Sequence, residues 1–157
     1  MAATRLWPGI TALNHGEHFA SGQPCFSVAY LATVRPDGSP RLHPFCPILA
    51  TGRLFAAIPA ASPKGHDLHR DRRCVIHATP GPDDDELCIR ACAIEVGDAL
   101  TRQAVVNVVT RSSVGGMIKS VTHDPIFEFD IERVDIARWL DIGQPGTRAE
   151  RTHWPPL

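Results

Sequence analysis

Three consecutive residues, Ser62, Pro63 and Lys64, put a hydroxyl, a residue suited to the first helical position and a full positive charge directly after an extended segment. Serine is a favoured N-cap and proline is best tolerated at the first turn, so a helix is predicted to start here. The N-terminus of a helix presents unpaired N–H donors and the positive end of the macrodipole, which stabilise an anion before any side chain contributes. Position 65, three after the cap, is glycine, so no capping-box Glu or Gln competes for those donors. The ligand chemistry this suits is a phosphate; the plainer reading of the same residues is a capping serine beside a solvated lysine. His43 is the best candidate for proton chemistry, because a neutral imidazole donates or accepts a proton near neutral pH. Its plainer reading is a hydrogen-bonded strand histidine. Arg41 falls two residues earlier on the same strand face and could add charge to an anion site, or be solvated or paired with a carboxylate.

Other reactive residues do not assemble. His15, His18, His66, His69, His77, His123 and His153 lack a metal-ligand spacing, and His66 with His69 offers one helix face without a third ligand. Five cysteines (Cys25, Cys46, Cys74, Cys88, Cys92) form no C-x-x-C pair, so reduced thiols and no metal are expected. Cys88 and Cys92 would lie on one face of a strand but about 13 Å apart. The acidic run from Asp83 to Glu86 lacks the alternating ligands and central glycine of a calcium loop and reads as a solvated hairpin tip. Gly115-Gly116 has neither Rossmann nor P-loop spacing. Trp139 and Trp154 read as core or interface aromatics.

The elements that must position Ser62 and Lys64 are mainly strands. Residues 10–22 suggest a short N-terminal helical segment, within residues 1–23. From Cys25 an apolar, β-branched run leads into an Asp37-Gly38 turn, residues 40–49 return as a second strand, and residues 53–58 form a third. Pro44 and Pro47 lack ladder donors, so the second strand should be interrupted, bulged or placed at an edge. Residues 74–79 and 86–96 should pair as a hairpin across an acidic loop. Asp98 can cap a helix through Arg111, whose apolar stripe is Leu100, Ala104, Val105, Val108 and Val109. Residues 126–142 alternate as a long strand, and residues 143–157 form a polar, proline-tipped tail. Six hairpin-connected strands with short helices predict a small antiparallel barrel rather than a parallel sheet.

Length and charge narrow the function classes. A chain of 157 residues suits one domain spanning residues 1–157. With 43% hydrophobic and 21% charged residues it should be globular, and no apolar run reaches the ~20 residues of a membrane helix. A formal net charge of -1 gives no global attraction to nucleic acid or to an acidic membrane. The N-terminus has no signal-peptide pattern, so a cytoplasmic location is expected.

Read together, residues 32–45 (Ala-Thr-Val-Arg-Pro-Asp-Gly-Ser-Pro-Arg-Leu-His-Pro-Phe), 52–55, 61–73 (Ala-Ser-Pro-Lys-Gly-His-Asp-Leu-His-Arg-Asp-Arg-Arg) and 80–86 resemble the pyridoxamine 5'-phosphate oxidase-like, flavin-binding split-barrel family. The resemblance covers residues 24–98 best. It implies a six-stranded antiparallel split barrel of the FMN-binding type, a homodimer with the cofactor at the subunit interface, and FMN as cofactor, with F420 or haem in other relatives. By that pattern His43, Pro44 and Phe45 run along the flavin ring, Ala57 and Ile58 lie near the ribityl chain and phosphate, and Ser62, Pro63 and Lys64 mark the phosphate site. Relatives often carry Thr or Ser where this chain has Ile58, and a second basic residue where it has Pro63; Arg41 could compensate. Ile48 stands where the oxidase itself carries a lysine for the substrate phosphate, which argues against that substrate. The implied function is a flavin-dependent oxidoreductase passing a hydride to or from a small organic substrate, the alternative being a non-catalytic flavin- or haem-binding or sensing protein.

Overall fold

In the computed structural model, which describes residues 28–78, 85–111 and 115–155, an antiparallel sheet of eight strands dominates. The strands are β1 (Ala29–Val34), β2 (Pro40–Phe45), β3 (Ile48–Ala50), β4 (Arg53–Ala57), β5 (Arg73–Ala78), β6 (Glu86–Glu95), β7 (Ile126–Leu140) and β8 (Arg148–Trp154). Three helices join them: α1 (Pro63–Arg70) between β4 and β5, and α2 (Ala99–Arg111) and α3 (Gly115–His123) between β6 and β7. The expected N-terminal helix and the acidic hairpin tip at Asp83 lie outside the described residues.

Strand order is β2-β1-β5-β6-β7-β4-β3, with β8 also on β7. β2 and β3 therefore sit at opposite ends of the path, yet only Cys46 and Pro47 separate them in sequence. At about 3.8 Å per Cα step, Phe45 and Ile48 are within about 11 Å, so the two edges must approach each other. The sheet curls into a half-barrel, as expected of a split barrel. β7 makes the curl possible: Ile126–Phe129 pairs with β4, Val134–Leu140 pairs with β8, and β6 runs along nearly its whole length.

Two differences raise the strand count from the expected six to eight. The second strand, expected as residues 40–49, breaks at Cys46-Pro47, because proline cannot donate to a ladder; the halves join different edges. Part of the polar tail forms β8, which carries no apolar alternation and pairs through its main chain. α3 had no counterpart in the sequence reading. The long strand stops at Leu140 instead of Ile142, since Asp141 adopts φ 56° and turns the chain.

The core lies inside the curl, where Leu31, Ile76, Ile89, Phe127 and Phe129 meet from β1, β5, β6 and β7. A second cluster packs Val105, Val109 and Val121 of α2 and α3 against Ile48 and Phe55. Asp98 Oδ1 accepts from the Thr101 N–H at 2.7 Å, as a cap for α2 should. Leu100, expected on the apolar stripe, is instead 87% exposed, because at 3.6 residues per turn a position five before the buried Val105 falls on the opposite side of the helix. Trp139 is half-buried with its indole N–H on Glu86, and Trp154 is 39% exposed, so neither belongs to the core. Among the described residues no helix is long and apolar enough to cross a membrane.

Candidate anion site at the start of α1

The turn from β4 into α1 is built on one carbonyl. Pro59 O accepts the Ser62 N–H at 2.9 Å and the Ser62 hydroxyl at 2.7 Å, while Ser62 Oγ accepts the Gly65 N–H at 3.1 Å. Ser62 is thus the N-cap and Pro63 the first helical residue, as predicted. The loop lies so close to the helix that a Cβ at Gly65 would stand 2.4 Å from Pro59 O. Glycine is what lets the turn fold over the helix start.

Lys64 reaches back across this turn to β2, where its Nζ donates to Pro44 O at 3.1 Å. Among the described residues no carboxylate pairs with it. Burial pushes its ammonium below the ordinary lysine range, an effect the nearby Cys46 opposes. The Gly65 and His66 N–H groups are taken by Ser62, and Pro63 has none. Lys64's own N–H has no partner among the described residues. Lys64 therefore offers a half-buried ammonium and a helix N–H, with no acid paired to it among the described residues.

His43 is half-buried on the face of β2 that also carries Arg41 and Phe45. Its Nε2 is buried and has no hydrogen-bond partner. Leaving such a nitrogen unpaired costs about 1–3 kcal/mol, so a polar ligand group would be welcome there. Burial lowers the His43 pKa below 6.5, and the charges of Lys64 and Arg41 lower it further against the weaker pull of Asp67. Imidazole NMR should find it neutral at pH 7, with a midpoint below 6.5 that rises on Lys64→Gln; a midpoint above 6.5 would mean that the two cations do not face it.

Arg41 is committed elsewhere. Its Nε donates to Asp67 Oδ2 at 2.7 Å, and Asp67, only 2% exposed, also accepts from Thr33 Oγ1 at 2.9 Å and from Arg70 Nη1 at 3.3 Å. Burial alone would raise the Asp67 carboxyl; the bonds from Arg41 and Thr33 outweigh it and hold the carboxyl below its ordinary value. Thr33 and Arg41 face each other across β1 and β2, so Asp67 fastens α1 to that hairpin.

The structure brings His43, Pro44, Ser62, Pro63 and Lys64 to one place, with Arg41 alongside through Asp67. Phe45 instead turns its ring into the core, edge-on to Phe129 at 5.8 Å. Ala57 ends β4, and Ile58 is fully buried with its N–H donating to Pro125 O at 2.9 Å. Thr33 and Asp67 carry no local signal in the sequence, and Gly65 stands out there only as the absence of a capping-box side chain. A separate cavity of about 240 Å³ lies between β6, β7 and β8, lined by Cys88, Arg133, Asp135 and His153 among others.

No protein-family model matches the chain, and no curated protein matches it. Solved structures do. A NimC/NimA family protein from Clostridium acetobutylicum superposes with TM-score 0.59 at 13% identity over 91% of this chain and 89% of its own. A candidate pyridoxamine 5'-phosphate oxidase from Listeria innocua gives 0.57 at 16% identity over 70% and 87%. HutZ, the haem storage protein of Vibrio cholerae, gives 0.57 at 19% identity over 68% and 82%. At these identities the likeness is one of fold, and that fold is the split barrel of the pyridoxamine 5'-phosphate oxidase-like proteins.

Proposed function

We propose that this chain binds a phosphate-bearing flavin, FMN or F420, and works in the cytoplasm as a flavin-dependent oxidoreductase on a small organic substrate. The observation that carries the reading is Lys64: a half-buried ammonium at a helix N-terminus whose one hydrogen-bond partner among the described residues is a carbonyl. Two of its protons and its own N–H remain for an anion, and a phosphate would supply the missing acceptors. The residues present therefore fit the phosphate end of such a cofactor. Lys64 and the first turn of α1 would hold the phosphate, and Gly65 would hold that turn against Pro59. The bound flavin supplies the hydride transfer, chemistry that no side chain provides. His43, neutral at pH 7, would donate or accept a hydrogen bond at Nε2 toward the bound molecules. A homodimer with the cofactor between subunits suits the exposed Tyr30, Leu42 and Val75, which lie on the three adjacent strands β1, β2 and β5 and together offer apolar surface for a second copy.

The test is the visible spectrum of the protein before and after incubation with FMN, F420 and haem, each followed by desalting. Flavin or deazaflavin bands should survive, and Lys64→Ala should weaken FMN binding about 10- to 100-fold, the worth of a charge-assisted contact, without weakening riboflavin. Equal loss of both would refute the phosphate contact. The second reading, haem binding without turnover, is favoured by the unpartnered His43 Nε2, a nitrogen able to ligate iron. A Soret band lost in His43→Ala, with no flavin retained, would put that reading first.

A further inference from the structure

We infer that the cavity of about 240 Å³ between β6, β7 and β8 binds a free α-amino acid, with its ammonium on Glu86 and its carboxylate on Arg151. The inference is independent of what Lys64 holds, since β1 and β5 separate β2 from β6. Side chains alternate along the strands: Leu87, Ile89 and Val134 enter the core, so Glu86, Cys88, Arg133, Asp135 and Ala137 face outward. The pairing register lays two rows across that outer face. One is Glu86, Ala137, Arg151; the other is Cys88, Asp135, His153.

The first row makes the cavity. Ala137 is the short side chain between two long ones, so a carboxylate and a guanidinium stand on opposite walls over a small floor. Their Cα atoms are two strand spacings apart, about 10 Å, and no ion pair joins the two side chains. Trp139 steadies the acid, its indole N–H donating to Glu86 Oε1 at 3.3 Å. A molecule bridging these walls must be positive at one end and negative at the other, and the volume, below that of drug-sized pockets, suits one as small as an amino acid. The second row adds no net charge, because Arg133 holds Asp135 from Nε at 2.9 Å and from Nη2 at 2.8 Å. Nor does it make a nucleophile. Asp135 stands between Cys88 and His153, which are thereby about 10 Å apart, and burial, then the Asp135 charge, pushes the Cys88 thiol above its ordinary range. The cavity binds, with a protonated thiol in its wall.

Cys88 therefore reports occupancy. In the full chain its alkylation by iodoacetamide, read by peptide mass spectrometry, is expected to slow several-fold with at least one of the standard amino acids at millimolar concentration, while Cys92, about 13 Å along β6, reacts as before. The N-acetyl derivative of that amino acid, without the ammonium, and its amide, without the carboxylate, should each bind about 10- to 100-fold more weakly, the worth of one charge-assisted contact. Glu86→Gln, which keeps an acceptor for Trp139, should erase the preference over the N-acetyl form, and Arg151→Gln the preference over the amide. No protection of Cys88 by any amino acid would overturn the inference, as would equal binding of either derivative, or protection of Cys92 alongside Cys88, which would place the ligand elsewhere. The derivatives decide on the wild-type protein should a variant not fold.

Discussion

Gly65→Ala is expected to destabilise the protein by about 3 kcal/mol, lowering Tm by on the order of 10 °C, against the usual direction for such a change in a helix. An alanine within a helix normally gains about 1 kcal/mol over glycine, because it restricts the unfolded chain and has the better propensity. Here the new methyl would meet Pro59 O at 2.4 Å and Ala60 O at 3.0 Å. Both are backbone atoms in a turn fixed by three hydrogen bonds, so neither can swing aside as a side chain tip would. To restore ordinary contact the turn must lift from α1, breaking the cap at Ser62 and moving Lys64 away from Pro44. Thermal melts settle the point: an unchanged or higher Tm would show that the turn yields freely. A lower Tm with retained phosphate binding would separate the turn's role in stability from its role in the site.

The same turn shows what a sequence can and cannot display. Ser62, Pro63 and Lys64 were legible because capping is local: the cap, the first helical residue and the N–H donors lie within one turn. The Asp37-Gly38 turn, the pairing of β5 with β6 and the capping by Asp98 were legible for the same reason. Pro44 and Pro47 marked a weak strand, yet nothing local announces that β2 and β3 part to opposite edges. That depends on which strands β1 and β4 find as neighbours. β8 was hidden because its pairing is made by main chain against β7, a bond pattern any polar sequence can form. Asp67 was the costliest omission. Its partners Thr33 and Arg41 lie 34 and 26 residues away, so no periodicity links them, and an aspartate inside a helix ordinarily reads as a solvated face. From sequence Arg41 reads as a phosphate ligand, a solvated arginine or a carboxylate's partner; that the partner is Asp67 only the packing of α1 on the β1–β2 hairpin reveals.

That packing makes Asp67→Ala the second large effect: about 3 kcal/mol of lost stability at pH 7, near the low end for breaking a buried ion pair. The low end applies because the cations left behind are not themselves buried. Their side chains are 25% exposed at Arg41 and 39% exposed at Arg70, so water recovers part of their solvation, while the Thr33 hydroxyl, 2% exposed, stays without its acceptor. The effect must depend on pH in one direction. The folded carboxyl titrates below its ordinary 3.8, so around that range the unfolded chain binds the proton more readily and stability rises with pH. The charge's contribution is complete above about pH 4 and is lost as pH falls through the folded value. Asp67→Asn, which keeps the shape and an acceptor for Thr33 without the charge, should therefore trail the wild type at pH 7 and pH 5 by a gap that narrows at pH 3, below the ordinary carboxyl value. Urea midpoints at the three values would show this, and a gap that stayed constant down to pH 3 would mean that shape, not charge, holds α1 against β1 and β2. A narrowing gap would tie the fold to the site, since the ion pair that fastens the helix also holds Arg41 on the strand face it shares with His43.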